Sequence, residues 1–272
     1  MKIVNLIENT PGYPGCKYEH GLSFYIETES HKILMDAGTS DAFIENADKL
    51  GIDLQQVDTV VISHGHYDHT GGLLAFTKIN KFARIYIQKT AGEDYYHVDD
   101  KEERYIGIDK RILELPQLVM VDGNLVIDKE LSIFSYITGR KNWPSGNYSL
   151  KLKTAEGYVQ DEFSHEQCLV ISEGENRVLL SGCAHNGIIN ILERYHSLYE
   201  DVPAVVISGF HMMKASEYTQ EEIEVIKDTA ELLKTRDTIF YSGHCTGIPA
   251  FDIMKEIMGD KLIAIHSGNT LF

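Results

Sequence analysis

The segment Val60-Val61-Ile62-Ser63-His64-Gly65-His66-Tyr67-Asp68-His69-Thr70-Gly71-Gly72 constrains this chain more than any other feature. An apolar, β-branched run ends in a loop that carries four metal-capable side chains within six residues, His64, His66, Asp68 and His69. Loops at strand ends are where a rigid sheet can hold ligands in fixed geometry. Alternate residues in an extended loop can turn His64 and His66 toward one ion, leaving Asp68 and His69 to face a neighbouring one. Neutral imidazole and carboxylate together suit zinc first, with iron and manganese as alternatives. Asp68 also carries a catalytic expectation, as a group able to move protons beside the ions.

The remainder of the chain reads as short strands alternating with helices. The first half, about residues 1–130, shows β-rich runs at Ile3–Ile7, Leu22–Thr28 and Lys32–Met35, a helix over Asp41–Leu50, and strands at Thr59–Ile62 and Ala83–Gln88. The second, about 131–272, repeats that grammar. It has strands at Leu131–Ile137, Gln167–Ser172, Arg177–Leu180, Ala204–Ile207, Thr238–Tyr241 and Leu262–Ile265, with helices at Ile188–Tyr199, Thr219–Thr235 and Ala250–Met258. This order predicts an α/β protein, one domain of two similar halves, with helices on the outer faces of sheets. Ala91–Pro116 and Gly139–Gly157 read as irregular, polar and aromatic segments that could cover a site.

Charge and cysteine content narrow the partners. The 272 residues carry 41 acidic against 25 basic side chains, a formal charge of −16, and show no basic stripe, so a nucleic-acid partner is not expected. Cys16, Cys168, Cys183 and Cys245 form no CxxC pair and are too sparse for a disulfide framework. The opening Met1–Glu8 lacks a signal peptide's apolar stretch, and no apolar run approaches the ~20 residues that span a bilayer. The expectation is a cytoplasmic protein without a membrane anchor. An exposed aromatic loop could contribute to a symmetric homodimer.

Further donors flank other strands: His165 before one, in Ser164-His165-Glu166-Gln167, and after others Cys183 and His185 in Ser181-Gly182-Cys183-Ala184-His185-Asn186-Gly187, His211 in Gly209-Phe210-His211, and His244 in Gly243-His244-Cys245. Together with the H-x-H-x-D-H string, these stations resemble the metallo-β-lactamase superfamily over most of the chain. The resemblance implies a four-layer αβ/βα sandwich, two central mixed sheets flanked by helices, with a two-metal site. Asp36, ending Ile33-Leu34-Met35-Asp36, looks like the superfamily's upstream aspartate, which orients a metal-bound histidine from behind.

The middle station departs from the pattern. Where a bridging aspartate is common, this chain has Cys183, with His185 two residues on; either can ligate, and His185 is favoured, with Cys183 as ligand or near neighbour. His165 or the adjacent Glu166 could fill the first downstream position. His211 could bind substrate, move a proton or ligate. His20, His31, His97, His196 and His266 are assigned no role.

The closer motifs, Ser-Gly-Cys-Ala-His-Asn-Gly-Ile-Ile-Asn-Ile and Gly-His-Cys-Thr-Gly among them, resemble a branch labelled dihydropterin-methyl (ribofuranosyl)aminobenzene phosphate synthase. Ser208-Gly209 departs from the Gly-Gly expected before Phe210-His211. The resemblance implies a metal-dependent hydrolase, or a phosphate-releasing synthase, acting on a small phosphorylated or ester-like substrate, a pterin-related one among the candidates, through a metal-bound hydroxide or a metal-polarised phosphate. Tyr67, Tyr95, Tyr96, Tyr105, Trp143 and Tyr148 could stack on a planar ring. The alternatives are a di-iron redox enzyme, disfavoured by His66 where such sites use a carboxylate, and a non-catalytic metal-binding protein of the same fold.

Overall fold

A computed structural model describes residues 1–174 and 176–272. The first half contributes β1 (Lys2–Ile7), β2 (Ser23–Glu27), β3 (Lys32–Met35), α1 (Ala42–Lys49), β4 (Thr59–Val61), α2 (Tyr67–Thr70), α3 (Leu73–Ile79), β5 (Arg84–Gln88), β6 (Tyr95–Val98), β7 (Glu103–Tyr105) and β8 (Leu118–Val121). After it come β9 (Leu125–Val126), β10 (Leu131–Phe134), β11 (Leu150–Thr154), β12 (Gly157–Gln160), β13 (Cys168–Glu173), β14 (Asn176–Leu180), α4 (Ile188–Tyr199), β15 (Val205–Ile207), α5 (Gln220–Lys234), β16 (Ile239–Ser242), α6 (Ile248–Met258) and β17 (Leu262–Ala264).

Two mixed sheets form the centre, one in the order β1-β2-β3-β4-β5-β8 and the other β17-β16-β15-β14-β13-β10-β9. In each, the site-bearing strands run parallel, β3 through β5 in one and β14 through β17 in the other. Parallel strands need both faces covered, and the sequence supplies that with unbroken apolar runs such as Thr59–Val61, buried throughout. Ile33, Met35 and Val61 of one sheet and Leu169, Ile171, Val178 and Leu180 of the other share one core cluster between the sheets. On the outer faces, Phe43 of α1 and Phe76 of α3 pack into the first sheet's cluster. Ile191 of α4, Leu233 of α5 and Met254 of α6 pack into the second sheet's cluster. The layers are therefore helix, sheet, sheet, helix, as expected from the sequence.

The two segments expected to be irregular are partly ordered. Ala91–Pro116 supplies β6 and β7, and Gly139–Gly157 supplies β11, which with β12 make a third antiparallel sheet, β12-β11-β6-β7. These strands are short and carry polar or charged residues on their open face, so their pattern shows no continuous apolar alternation. Only the distant partner strand reveals them. Tyr95, Ile106, Leu150 and Phe163 form a small core of their own beneath this sheet, which lies over the metal-capable loop.

Candidate metal centre

Loops from both central sheets meet at their strand ends. Gly182, after β14, comes so close to the loop after β4 that a Cβ there would lie 2.2 Å from Ser63 Oγ and 3.1 Å from His64 Nδ1. Gly209, after β15, would put a Cβ 2.4 Å from Cys245 Sγ. Backbone in the left-handed region clusters here without glycine: Asp36 (φ 60°), Ala184 (53°), His211 (50°) and His244 (50°). Such conformations persist where the surroundings over-determine them, commonly at functional sites.

Hydrogen bonds fix which imidazole nitrogens face inward. Asp36, fully buried after β3, accepts from Ser63 N–H at 2.7 Å, from Ser63 Oγ–H at 2.7 Å and from His69 Nδ1–H at 2.7 Å. Ser63 Oγ has spent its proton on Asp36, so it accepts from His64 Nδ1–H at 2.9 Å. Asn147 donates Nδ2–H to the His185 carbonyl at 2.7 Å, which turns its Oδ1 to accept from His185 Nδ1–H at 3.1 Å. Asn9 orients His244 in the same way, donating to the His244 carbonyl at 3.3 Å and accepting from Nδ1–H at 2.9 Å.

The network therefore turns Nε2 of His64, His69, His185 and His244 inward, each a lone pair when its imidazole is neutral. They face one another, a thiol and a carboxylate. His64 Nε2 lies 3.3 Å from His185 Nε2, His69 Nε2 lies 3.2 Å from Cys183 Sγ, and His244 Nε2 lies 3.4 Å from Asp68 Oδ2. Nε2 of His66 and of His244 is buried without any hydrogen-bond partner. Buried polar atoms are nearly always satisfied, and inward-facing lone pairs repel unless a cation lies among them.

Two donor groups emerge around Cys183. The rings of His64, His66 and His185 stand with centroids 4.6, 4.8 and 4.8 Å apart. Asp68, His69, Cys183 and His244 bring ligand atoms within 4.8 Å of one another, and Cys183 also groups with His64 and His185. These residues could hold divalent ions. Burial, with the neighbouring histidines, lowers His64 and His185 well below the ordinary imidazole value and His66 to about 3, keeping them neutral, the form that ligates. Burial raises the Asp68 carboxyl, but His69, His20 and His244 outweigh it and hold it well below the usual carboxylate range. Burial pushes the Cys183 thiol well up, an effect a neighbouring cation opposes.

The sequence-derived set is thus largely gathered, with His165 grouped with His66 and Asp161 rather than around Cys183. His165 Nδ1 accepts from Gly65 N–H at 2.9 Å and its Nε2 lies 3.1 Å from Asp161 Oδ2, so both ring nitrogens are engaged behind His66. The neighbouring Glu166 is likewise committed, accepting from His185 N–H at 2.6 Å, Asn186 N–H at 2.9 Å and Asn186 Nδ2–H at 2.8 Å. His211 stands on the rim with its ring 4.1 Å from that of His185.

Two histidines given no role from sequence belong to the site. His20 Nε2 lies 3.3 Å from Asp68 Oδ2 and its ring stacks on His244 at 5.1 Å, while His97 lines the cavity. His20 and Asn9 sit in the long loop after β1, and no spacing in the sequence links them to the strand ends they reach.

The donors floor a cavity of about 200 Å³ whose walls include Tyr67, Arg104, Ile106 and Met213. Of the aromatic residues expected to stack on substrate, Tyr67 lines this cavity, Tyr95 packs against His165 at 4.0 Å, and Trp143 and Tyr148 line a separate cavity of about 330 Å³ beyond His211. A wider depression of about 570 Å³ beside α1 is lined by Ile44, Glu45, Asp53 and neighbours, and none of the metal-capable donors reaches it.

The family model of the metallo-β-lactamase superfamily matches residues 18–233, and the chain belongs to that superfamily. It is similar in structure to a metal-dependent hydrolase of the β-lactamase superfamily, with a TM-score of 0.82 and 32% identity over 100% of this chain and 98% of that one. Two proteins of Methanocaldococcus jannaschii are also similar. One is an uncharacterised protein, 27% identical over 93% of each chain. The other is named 7,8-dihydropterin-6-methyl-4-(β-D-ribofuranosyl)-aminobenzene-5'-phosphate synthase, 26% identical over 100% of this chain and 96% of its own. Among the described residues no helix is long and apolar enough to cross a membrane.

Proposed function

We propose that this protein is a two-metal hydrolase of a small ester-like or phosphorylated molecule. The observation that carries this reading is the convergence of inward imidazole nitrogens, above all His64 Nε2 against His185 Nε2, two rings kept neutral by burial whose Nδ1 protons are already committed to Ser63 and Asn147. His64, His66 and His185 would hold one ion, Asp68, His69 and His244 a second, with Cys183 Sγ between them. Divalent ions there supply a nucleophile from water near neutral pH and polarise a carbonyl or phosphoryl oxygen.

The chain's own residues do the rest. Asp36 and Asn147 hold the rings of His69 and His185, and His165, clamped between Gly65 N–H and Asp161, braces the His66 loop rather than ligating. His211, with Nδ1 buried and unpartnered beside His185, is placed to hand a proton to a leaving group, and the Asp68 carboxylate can take a proton from water and pass it to His20 Nε2, 3.3 Å away. Zinc suits the donor set, and iron or manganese also fit. Four free cysteines accord with a reducing cytoplasm.

Elemental analysis of anaerobically purified protein tests the centre. About two transition-metal ions per chain, lost in His66→Ala and His185→Ala, with hydrolysis of aryl esters, lactones or phosphodiesters by the loaded protein, is the expected result. A metal-replete protein that binds no ion overturns it. The name of the synthase relative supports a second reading, a phosphate-releasing condensation, which release of phosphate or diphosphate from a pterin substrate without ester hydrolysis would favour.

A further inference from the structure

The cavity over the donors has an outer wall whose charge runs against that of the molecule. The chain carries −16 overall, yet among the described residues Arg104 is the one lysine or arginine lining the cavity and Asp68 the one carboxylate, already facing His20, His69 and His244. Arg104 lies on β7 of the third sheet, and His97 is its direct cross-strand partner on β6. Directly opposed residues of an antiparallel pair project from the same face. Both line the cavity.

Neither side chain is consumed by the protein. The Arg104 guanidinium is 5.7 Å from the centre of the Tyr67 ring and donates to Tyr67 Oη at 3.3 Å and to Glu102 Oε1 at 3.4 Å, both long, and its Nη2 has no acceptor among the described residues. His97 Nδ1 is buried with no hydrogen-bond partner and stands 3.5 Å from the same Glu102 oxygen. Glu102 is exposed and can turn to water, so it partners both groups in the absence of ligand without filling the wall. Tyr67, between His66 and Asp68 in the chain, ties the guanidinium to the loop that carries the metal-capable donors.

We infer that Arg104, with His97 beside it, binds an anionic oxygen group of the substrate, a phosphate or a carboxylate remote from the bond that reacts. This rests on the proposed hydrolase reading. A planar guanidinium with free donors, braced on an aromatic face, suits bidentate recognition of either anion. Its place on the third sheet rather than on the central ones makes it a determinant of specificity, separate from the residues that hold the ions.

The test compares wild type, R104Q and R104K, all metal-loaded and with equal metal content, on phenyl acetate and on 4-acetoxybenzoate, which differ by one distal carboxylate. The ratio of KM for the charged ester to KM for the neutral one rises about tenfold in R104Q and less in R104K. Calorimetric titration with phenyl phosphate and with benzoate needs no turnover: R104Q weakens binding about tenfold, and the probe that loses more affinity in R104Q identifies the anion. An unchanged KM ratio together with unchanged phenyl phosphate binding overturns the inference, the anion then sitting on the ions alone. Absence of ester hydrolysis with Arg104-dependent phenyl phosphate binding overturns the hydrolase reading and leaves the anion site standing.

Discussion

Two fully buried carboxylates under the metal-capable donors, Asp36 in the first half of the chain and Glu166 in the second, work differently. Asp36, in the first half, grips a donor ring itself, taking the Nδ1 proton of His69, and through Ser63 Oγ it also sets His64. Glu166, in the second half, grips backbone, accepting from the amides of His185 and Asn186, while the His185 ring is set by Asn147 instead. Burial raises the Glu166 carboxyl against the donors that lower it. The difference teaches that a contiguous ligand loop can be tuned through its rings, whereas donors scattered over several loops first have to have their backbone pinned.

The comparison is broken or sharpened most strongly at the donors themselves. His66→Ala and His185→Ala are each expected to weaken metal binding by more than the ~10–100-fold that a supporting residue costs, read by competition with a chromogenic chelator. Equal retention of metal by His185→Ala and wild type would remove His185 from the ligand set and leave the second half represented by Cys183 and His244 alone.

Asp36→Asn should then weaken binding by about 10–100-fold, because the amide turns a donor toward the Ser63 and His69 protons while the fold is retained. Glu166→Gln is expected to act mainly on stability, losing ~1–3 kcal/mol in chemical denaturation by leaving an amide donor unpaired, with metal affinity reduced less than by Asp36→Asn. The reverse ranking would abolish the distinction between ring and backbone support.

The smallest effect belongs to the far end of the same two halves. His31, before β3, lies 2.8 Å from Asp58 and 2.6 Å from Asp128, the latter in the turn before β10. Burial lowers the imidazole, but hydrogen bonds to both aspartates outweigh it and raise its value. A raised value stabilises the folded state fully below the unfolded imidazole value of about 6.5, and that contribution is lost as pH rises through the folded value. Unfolding midpoints of wild type should therefore fall relative to His31→Gln from near pH 6.5 upward; parallel curves would show that this tie does not titrate.

Much of this was readable before the structure. The helix at Ile188–Tyr199 and the strand at Lys32–Met35 were located to the residue, because apolar periodicity and glycine punctuation are local signals. The third sheet was not, since β6 and β11 are half-buried polar strands that gain order only from one another. Glu166 and Asn147 carry no motif that states which backbone or ring they support.

By itself the sequence determined the superfamily, the layer order and the inventory of donors, since a strand running into four metal-capable side chains within six residues allows few other readings. Only the tertiary structure decided which donors converge, that His165 is spent on Gly65 and Asp161, and that His20, His97 and Arg104 complete the pocket wall. The physical reason is reach. A ligand's neighbours along the chain are set by spacing, but its hydrogen-bond partner and the charge across a cavity are set by loops whose residues lie a hundred or more positions away, as His64 and His185 do.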